Sequence, residues 1–103
     1  MIDWTQITGF EWDAGNSRKS VIKHNVTQFE SEQVFFNQPL LILQDAKHSQ
    51  DELRFQALGK SDACRELHIT FTLRSANTVI RVISARDMHR KERKYYEQAK
   101  TDS

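Results

Sequence analysis

The chain has 103 residues, 28% of them charged, with a formal net charge of +1 and a mean hydropathy of −0.69. This length accommodates one domain, and no apolar run approaches the roughly 20 residues that cross a bilayer. So small a net charge gives no argument for nucleic-acid binding from the total, and the single cysteine, Cys64, excludes an intrachain disulfide and a thiolate-rich zinc site.

Met1-Ile2-Asp3-Trp4 lacks the basic start and apolar stretch of a signal peptide, so a cytoplasmic product is expected. Gly9-Phe10-Glu11-Trp12 reads as a short strand. Asp13 is a good N-cap for a helix from Ala14 to about Asn25, with Val21 and Ile22 expected to face inward. Asn25 suits the left-handed residue that ends a helix. Thr27-Gln28-Phe29-Glu30 has the form of a capping box and predicts a second short helix ending near Phe36, before Asn37 and Pro39.

Leu40 to Ser84 reads as strands. Leu40-Leu41-Ile42-Leu43 is a short apolar run, and residues 45–51 form a polar connection. Leu53 to Leu58 alternates weakly and ends at Gly59. Leu67, Ile69, Phe71 and Leu73 alternate with His68, Thr70, Thr72 and Arg74, a period of two with one buried and one polar face. Ser75-Ala76-Asn77 turns the chain into Val79–Ile83, and a charged helix is expected from an Asp87 cap to about Lys100. Consecutive strands with short turns, flanked by helices, predict an α+β fold on an antiparallel sheet.

Charge is concentrated at the C-terminal end. Arg86 to Lys100 holds six Lys/Arg against three acids. Such a stretch faces a polyanion, an acidic partner or plain solvent. Arg81 interrupts an apolar strand, where a guanidinium requires a partner or an open groove. The alternatives are an ion pair with Glu52 or Glu92, or a phosphate held by its planar fork. Arg86, at the expected helix start, is either a phosphate ligand or a surface arginine. Helical spacing lets Arg93 and Tyr96 share a face. His24, and His48-Ser49-x-x-Glu52-x-Arg54, supply titratable groups. The histidines lack metal-ligand spacing, and no glycine-rich phosphate loop or serine elbow is present.

Taken together, the pieces resemble a family. Phe10-Glu11-Trp12-Asp13, Lys23-His24-x-Val26-Thr27, Glu30 and Val34-Phe35-Phe36 are similar to the opening of BrnT-type toxins. The similarity continues through Asp45, His48-Ser49, Glu52-x-Arg54-Phe55 and Gly59. It ends with Phe71-Thr72-x-Arg74, Arg81-x-Ile83-Ser84-Ala85-Arg86 and Glu92-Arg93-x-x-Tyr96-Glu97. Asn25 stands where the family has glycine, a substitution that keeps left-handed geometry accessible. Residues 1–8 lie upstream of the resemblance, as an added strand, an edge cover or a docking segment.

The resemblance implies one RelE-like α+β domain over residues 1–103, with a four- to five-stranded antiparallel sheet, two N-terminal helices and a C-terminal helix. It implies a toxin of a type II toxin–antitoxin system that cleaves RNA and arrests translation. A ribbon–helix–helix, BrnA-like antitoxin would neutralise it and provide its only link to DNA. The alternative is a degenerate toxin that survives as a binding module or co-repressor. Without metal or other cofactor, RNA is cut by its own 2′-hydroxyl, given a base, an acid and positive charge on the phosphate. Arg81, Arg86 and Arg93 are the expected phosphate ligands, His24 or Glu52 the base, and Tyr96 or His48 the acid. Lys23, His48, Arg54 and Arg90 are expected RNA contacts. Trp12, Phe36 and Tyr95 either stack on bases or pack in the core.

Overall fold

The computed structural model describes residues 2–45 and 52–102. In chain order its elements are β1 (Gly9–Trp12), α1 (Ala14–His24), α2 (Gln28–Gln33), β2 (Leu41–Gln44), β3 (Arg54–Lys60), β4 (Glu66–Arg74), β5 (Val79–Asp87) and α3 (Arg90–Asp102). Short 3-10 turns occupy Trp4–Gln6 and Val34–Phe36. The five strands form one sheet in the order β1-β5-β4-β3-β2. No helix among the described residues is long and apolar enough to cross a membrane.

The helix starts follow the capping chemistry of the sequence. The Asp13 carboxylate accepts from the amides of Gly15 and Asn16 at 2.8 and 3.2 Å, and Asn25 ends α1 at φ 55°. Thr27 Oγ1 accepts from the Glu30 amide at 3.1 Å. The other half of that capping box is absent, because the Glu30 carboxylate is bound to Arg65 at 2.8 Å. Val21, expected inside, is 41% exposed, and the Ile22 side chain, also expected inside, lies outside what the structure describes. The helix meets the sheet at Ser20, whose hydroxyl accepts from the Ala85 amide at 3.3 Å in a buried bond. β1 pairs with β5 only as far as Val82, so α1 lies where a continuing strand would have taken that amide.

β2 to β5 are antiparallel neighbours, as consecutive short-turned strands require. β1 differs: it joins β5 in parallel, pairing Gly9 with Val79 through Trp12 with Val82. The expectation of a wholly antiparallel sheet came from hairpin logic, and β1 has no hairpin neighbour. The chain leaves it through two helices and returns by the central strands 70 residues later.

β4 carries the predicted alternation. Leu67, Ile69 and Phe71 are buried beside Ala57, Ile80, Val82 and Ala85, with Val26 and Val34 closing the core from the helix side. Gly59 sits inside β3 rather than ending it. A Cβ there would stand 2.6 Å from Val34 Cγ1, so the strand approaches the 3-10 turn more closely than a side chain permits. A register shift between Thr70 and Phe71 inserts Ile83 as an extra residue, a bulge that carries β5 on to Asp87. Asp87 therefore belongs to the strand, and α3 begins three residues later than its sequence suggests. The helix start is held by Glu92, which accepts from the His89 amide at 2.8 Å.

Arg65 ties these elements together. Its guanidinium donates to Asp87 at 2.7 and 2.9 Å, to Glu30 at 2.8 Å, and to the carbonyls of Asn25 and His24 at 2.8 and 3.1 Å. Opposite charges hold Asp87 below the usual carboxylate range, chiefly through the bonds from Arg65.

Candidate functional site on the open face of the sheet

Strand parity fixes which side chains leave the core. Opposite the face of Phe71 and Val82 the sheet presents rows set by register. Glu11, Arg81, Thr72 and Arg54 form one row. Ser84, Thr70, Gln56 and Leu43 form the next, and Arg86, His68, Leu58 and Leu41 a third. Helices α1 and α2 lie on the other side. α3 packs mainly on the third row, where Tyr96 joins Met88 in burying Leu58 with Leu41 packed against them.

Arg81 and Arg86 thus share this face. Four residues of β4, Thr72 to His68, separate their cross-strand partners, and at strand rise that is roughly 13 Å. That is a spacing of backbone positions, and the side chains reach out from it over the same face. Arg81 lies 3.5 Å from Glu11 and 3.6 Å from Asp13, long contacts on a side chain 25% exposed. The partners are not the Glu52 or Glu92 expected from sequence. Arg86 is held more firmly. It donates to both Glu92 oxygens at 2.8 and 2.9 Å and to the Asp87 carbonyl at 3.0 Å. Its Nε and the second Nη2 hydrogen, which form the other edge of the fork, have no partner among the described residues. Bonds from Arg86 and from the His89 amide hold Glu92 at about 2, so it is ionised throughout the neutral range.

Arg93 does not join them. It lies 3.3 Å from Glu66 and donates to the Met88 carbonyl at 3.4 Å. Tyr96 is fully buried and donates to the Pro39 carbonyl at 2.7 Å, and burial pushes its hydroxyl up to about 12. It is a structural group closing α3 onto the chain before β2, so the acid role expected for it fails on access. His24 falls on the wrong side of the sheet. Its carbonyl accepts from Arg65 at the helix face, and its ring is near enough to Asp87 to help lower that carboxyl's pKa. Lys23 precedes it on α1 and is exposed there.

Glu52 does reach the open face. Its carboxylate lies 3.2 Å from Arg74, the next outward residue beyond Thr72. Arg54 stands in the Arg81 row and is half-buried; Arg90 is exposed in the first turn of α3. His48 lies outside the described residues. Of the aromatics, the Trp12 indole donates to Glu32 at 3.0 Å while packing against the core, and Phe36 is 75% exposed on the helix side. Tyr95 alone borders the open face, lining a hollow of about 400 Å³ together with His68 and Glu92.

His68 is the residue that sequence reasoning passed over. It is 5% exposed, with Nε2 3.8 Å from Glu92 and a buried Nδ1 that has no partner. Burial, then the nearby Arg86 charge, lowers its pKa, so it is neutral. The signal was present: the period of two in β4 sets His68 on the polar face, and pairing with β5 brings it opposite Arg86. Among the described residues, no three His, Cys, Asp or Glu side chains gather into a metal-binding group.

Comparison with known proteins agrees with this architecture. A family model described as the ribonuclease toxin BrnT of type II toxin–antitoxin systems matches residues 12–92. Among solved structures, the Brucella abortus ribonuclease toxin BrnT, a crystal structure at 1.1 Å resolution, is similar with a TM-score of 0.61. The similarity covers 81% of this chain and 99% of that one at 16% identity, a level that speaks to the fold alone. No curated protein sequence matches the chain.

Proposed function

The chain belongs to the BrnT family of ribonuclease toxins of type II toxin–antitoxin systems, and from that membership we propose that it is a metal-independent endoribonuclease working on the open face of its sheet. The observation that carries this reading is the pair of arginines, Arg81 and Arg86, at the two ends of one outward row of β5. They stand on one face, so that one RNA strand laid along β5 would meet both through its phosphates. Phosphate contacts of this kind position the RNA, and developing negative charge is stabilised by the same guanidinium groups.

In the proposed reaction the 2′-oxygen of one ribose attacks the adjacent phosphorus. Its proton passes to the Glu52 carboxylate, the P–O5′ bond breaks, and the leaving 5′-oxygen takes a proton from an acid. Of the two base candidates, Glu52 is favoured because it stands on the same face as Arg81, through Arg74. Of the two acid candidates, His48 remains, four residues before Glu52 in the chain. Arg54 adds positive charge beside Arg81. Arg93, Arg90 and Lys23 are left as peripheral contacts.

Type II membership makes a protein antitoxin the cognate partner. We take that antitoxin to be a ribbon–helix–helix DNA-binding protein, so that operator DNA is met only through it, in the cytoplasm.

The decisive experiment is cleavage of labelled RNA by the purified chain in excess chelator. The expected product carries a 2′,3′-cyclic phosphate, and a single 2′-deoxy substitution at the cut site blocks it. Arg81→Ala and Arg86→Ala each slow cleavage; wild-type rates for both would remove the arginine assignment. A second reading has its own support. The bidentate Arg86–Glu92 pair is what a folded surface needs without any substrate, and it favours a toxin that has kept its antitoxin and lost its chemistry. That reading predicts no cleavage and no growth arrest, with intact antitoxin binding.

A further inference from the structure

The geometry points to the hollow between the third row of the sheet and the start of α3 as a nucleobase subsite, which seats the base next to the phosphate held by Arg86. The inference rests on the nuclease reading above and adds to it the part of the RNA that is recognised.

The hollow has the right form for a flat heteroaromatic ring. It is a shallow, open depression of about 400 Å³, suited to a ring laid flat against its wall. Leu43 and Leu58 supply apolar wall. Tyr95 closes one side and is 54% exposed, whereas its neighbour Tyr96 is fully buried. Two adjacent tyrosines on one helix must face different ways. The structure uses one as core and leaves the other's ring to solvent at the rim of a cavity. Bases stack on such rings whatever their identity.

Polar groups in the same wall supply discrimination. The Gln56 amide nitrogen donates to Asp45 at 3.3 Å, which leaves its carbonyl oxygen directed elsewhere. His68 also lines the hollow, with its unpartnered Nδ1 buried beneath the surface and out of a ligand's reach. The Gln56 amide oxygen is the group suited to accept from the edge of a base. A phosphate is a poorer occupant, since Glu92 also lines the hollow and is ionised. Phosphate has a better place one step away, on the free edge of Arg86. Lys91 at the rim is exposed and adds charge for the backbone that enters and leaves.

The test uses an uncleavable RNA, 2′-O-methylated at the cut site, and mapping of cleavage positions on a random-sequence RNA. Tyr95→Ala is expected to weaken binding roughly tenfold, with Tyr95→Phe restoring it. Removing the base beside the cut site, as an abasic nucleotide, should abolish the difference between wild type and Tyr95→Ala. Gln56→Ala should broaden the base preference at one position while cleavage continues. If the wild-type chain cuts RNA and both variants keep its affinity and pattern, the subsite is wrong and the nuclease reading stands. If the wild-type chain neither binds nor cuts RNA, both readings fall.

Discussion

Replacing Glu92 by glutamine separates a phosphate-binding arginine from a purely structural one. In the wild-type protein Glu92 accepts from Arg86 twice and from the His89 amide once. Glutamine keeps one acceptor for the helix start but loses the charge that holds Arg86. Charge-assisted bonds on partly exposed side chains contribute modestly, so the expected loss is about 1–2 kcal/mol at pH 7. The carboxylate is held near 2 in the folded chain against 4.5 unfolded. Its stabilisation is therefore complete above 4.5 and is lost as pH falls through 2, and the gap between wild type and variant should close over that window. RNA affinity should move the other way. A phosphate on the free edge of Arg86 sits about 6 Å from the carboxylate, a repulsion of roughly 0.7–1.4 kcal/mol at effective dielectrics of about 80 to 40. Removing it should tighten binding about three- to tenfold. Urea denaturation followed by tryptophan fluorescence gives the first quantity. Polarisation of a labelled, uncleavable RNA at 50–200 mM salt, a range in which phosphate contacts respond strongly, gives the second. In the same titration Arg86→Ala should weaken binding and reduce the salt slope by about one. A variant that is less stable yet binds RNA as the wild type does would show that no phosphate meets Arg86, and with it the two-phosphate path along β5 would be refuted.

Four further outcomes are expected. Arg65→Ala leaves Asp87, Glu30 and two helix-end carbonyls without their shared donor and should cost about 2–4 kcal/mol, read as a fall in urea midpoint with unchanged m-value. Gly59→Ala forces a Cβ against Val34 and should cost about 1–3 kcal/mol, a loss that Gly59→Ala with Val34→Ala partly recovers. Tyr96→Phe removes the bond to Pro39 and should lower stability by about 1 kcal/mol while leaving the RNA cleavage rate within twofold; a hundredfold loss would return the acid role to Tyr96. His68, buried neutral with a lowered pKa, is protonated more readily in the unfolded chain. Stability should thus fall as pH drops below about 6.5, by at most about 1.4 kcal/mol per unit, and His68→Gln should flatten that part of the profile.

Local signals carried the fold far. Asp13, Thr27 and Asn25 mark helix ends because a cap acts on backbone groups within a few residues, and the alternation from Leu67 to Leu73 needs no knowledge of neighbouring strands. Three features were less legible, each set by something distant. β1 pairs in parallel with a strand 70 residues on. The bulge at Ile83 extends β5 over residues that look like a helix start. Asp87, a plausible cap by type, is taken by Arg65, whose other partners lie at the far end of α1 and in α2. The α+β class followed from the order of the elements, and the family resemblance added the expected number of strands and helices.

The site was legible to a different degree because two questions are involved. Which face a strand residue takes is a matter of parity, which allows Arg81 an open face, but plain alternation would put Arg86 on the opposite one, and only the bulge at Ile83 brings the two to the same side. Which groups meet is a matter of distance, and helical spacing alone misjudged it on α3. Residues 92, 93, 95 and 96 span just over one turn, and spacing alone does not say which of them meet the same neighbour. Glu92 turns to Arg86, Arg93 to Glu66, Tyr95 to the hollow and Tyr96 into the core. Grouping Arg93 with Tyr96 by proximity in sequence therefore joined residues that share no function, and passed over the pair that does share a wall. His68 was hidden for a related reason. Its significance comes from Arg86 and Glu92, neither near it in the chain, and only the β4–β5 register brings all three together. The chemistry of this face thus depends on register: shifting β4 by one residue against β5 would return His68 to the helix side and leave Arg86 opposite a leucine.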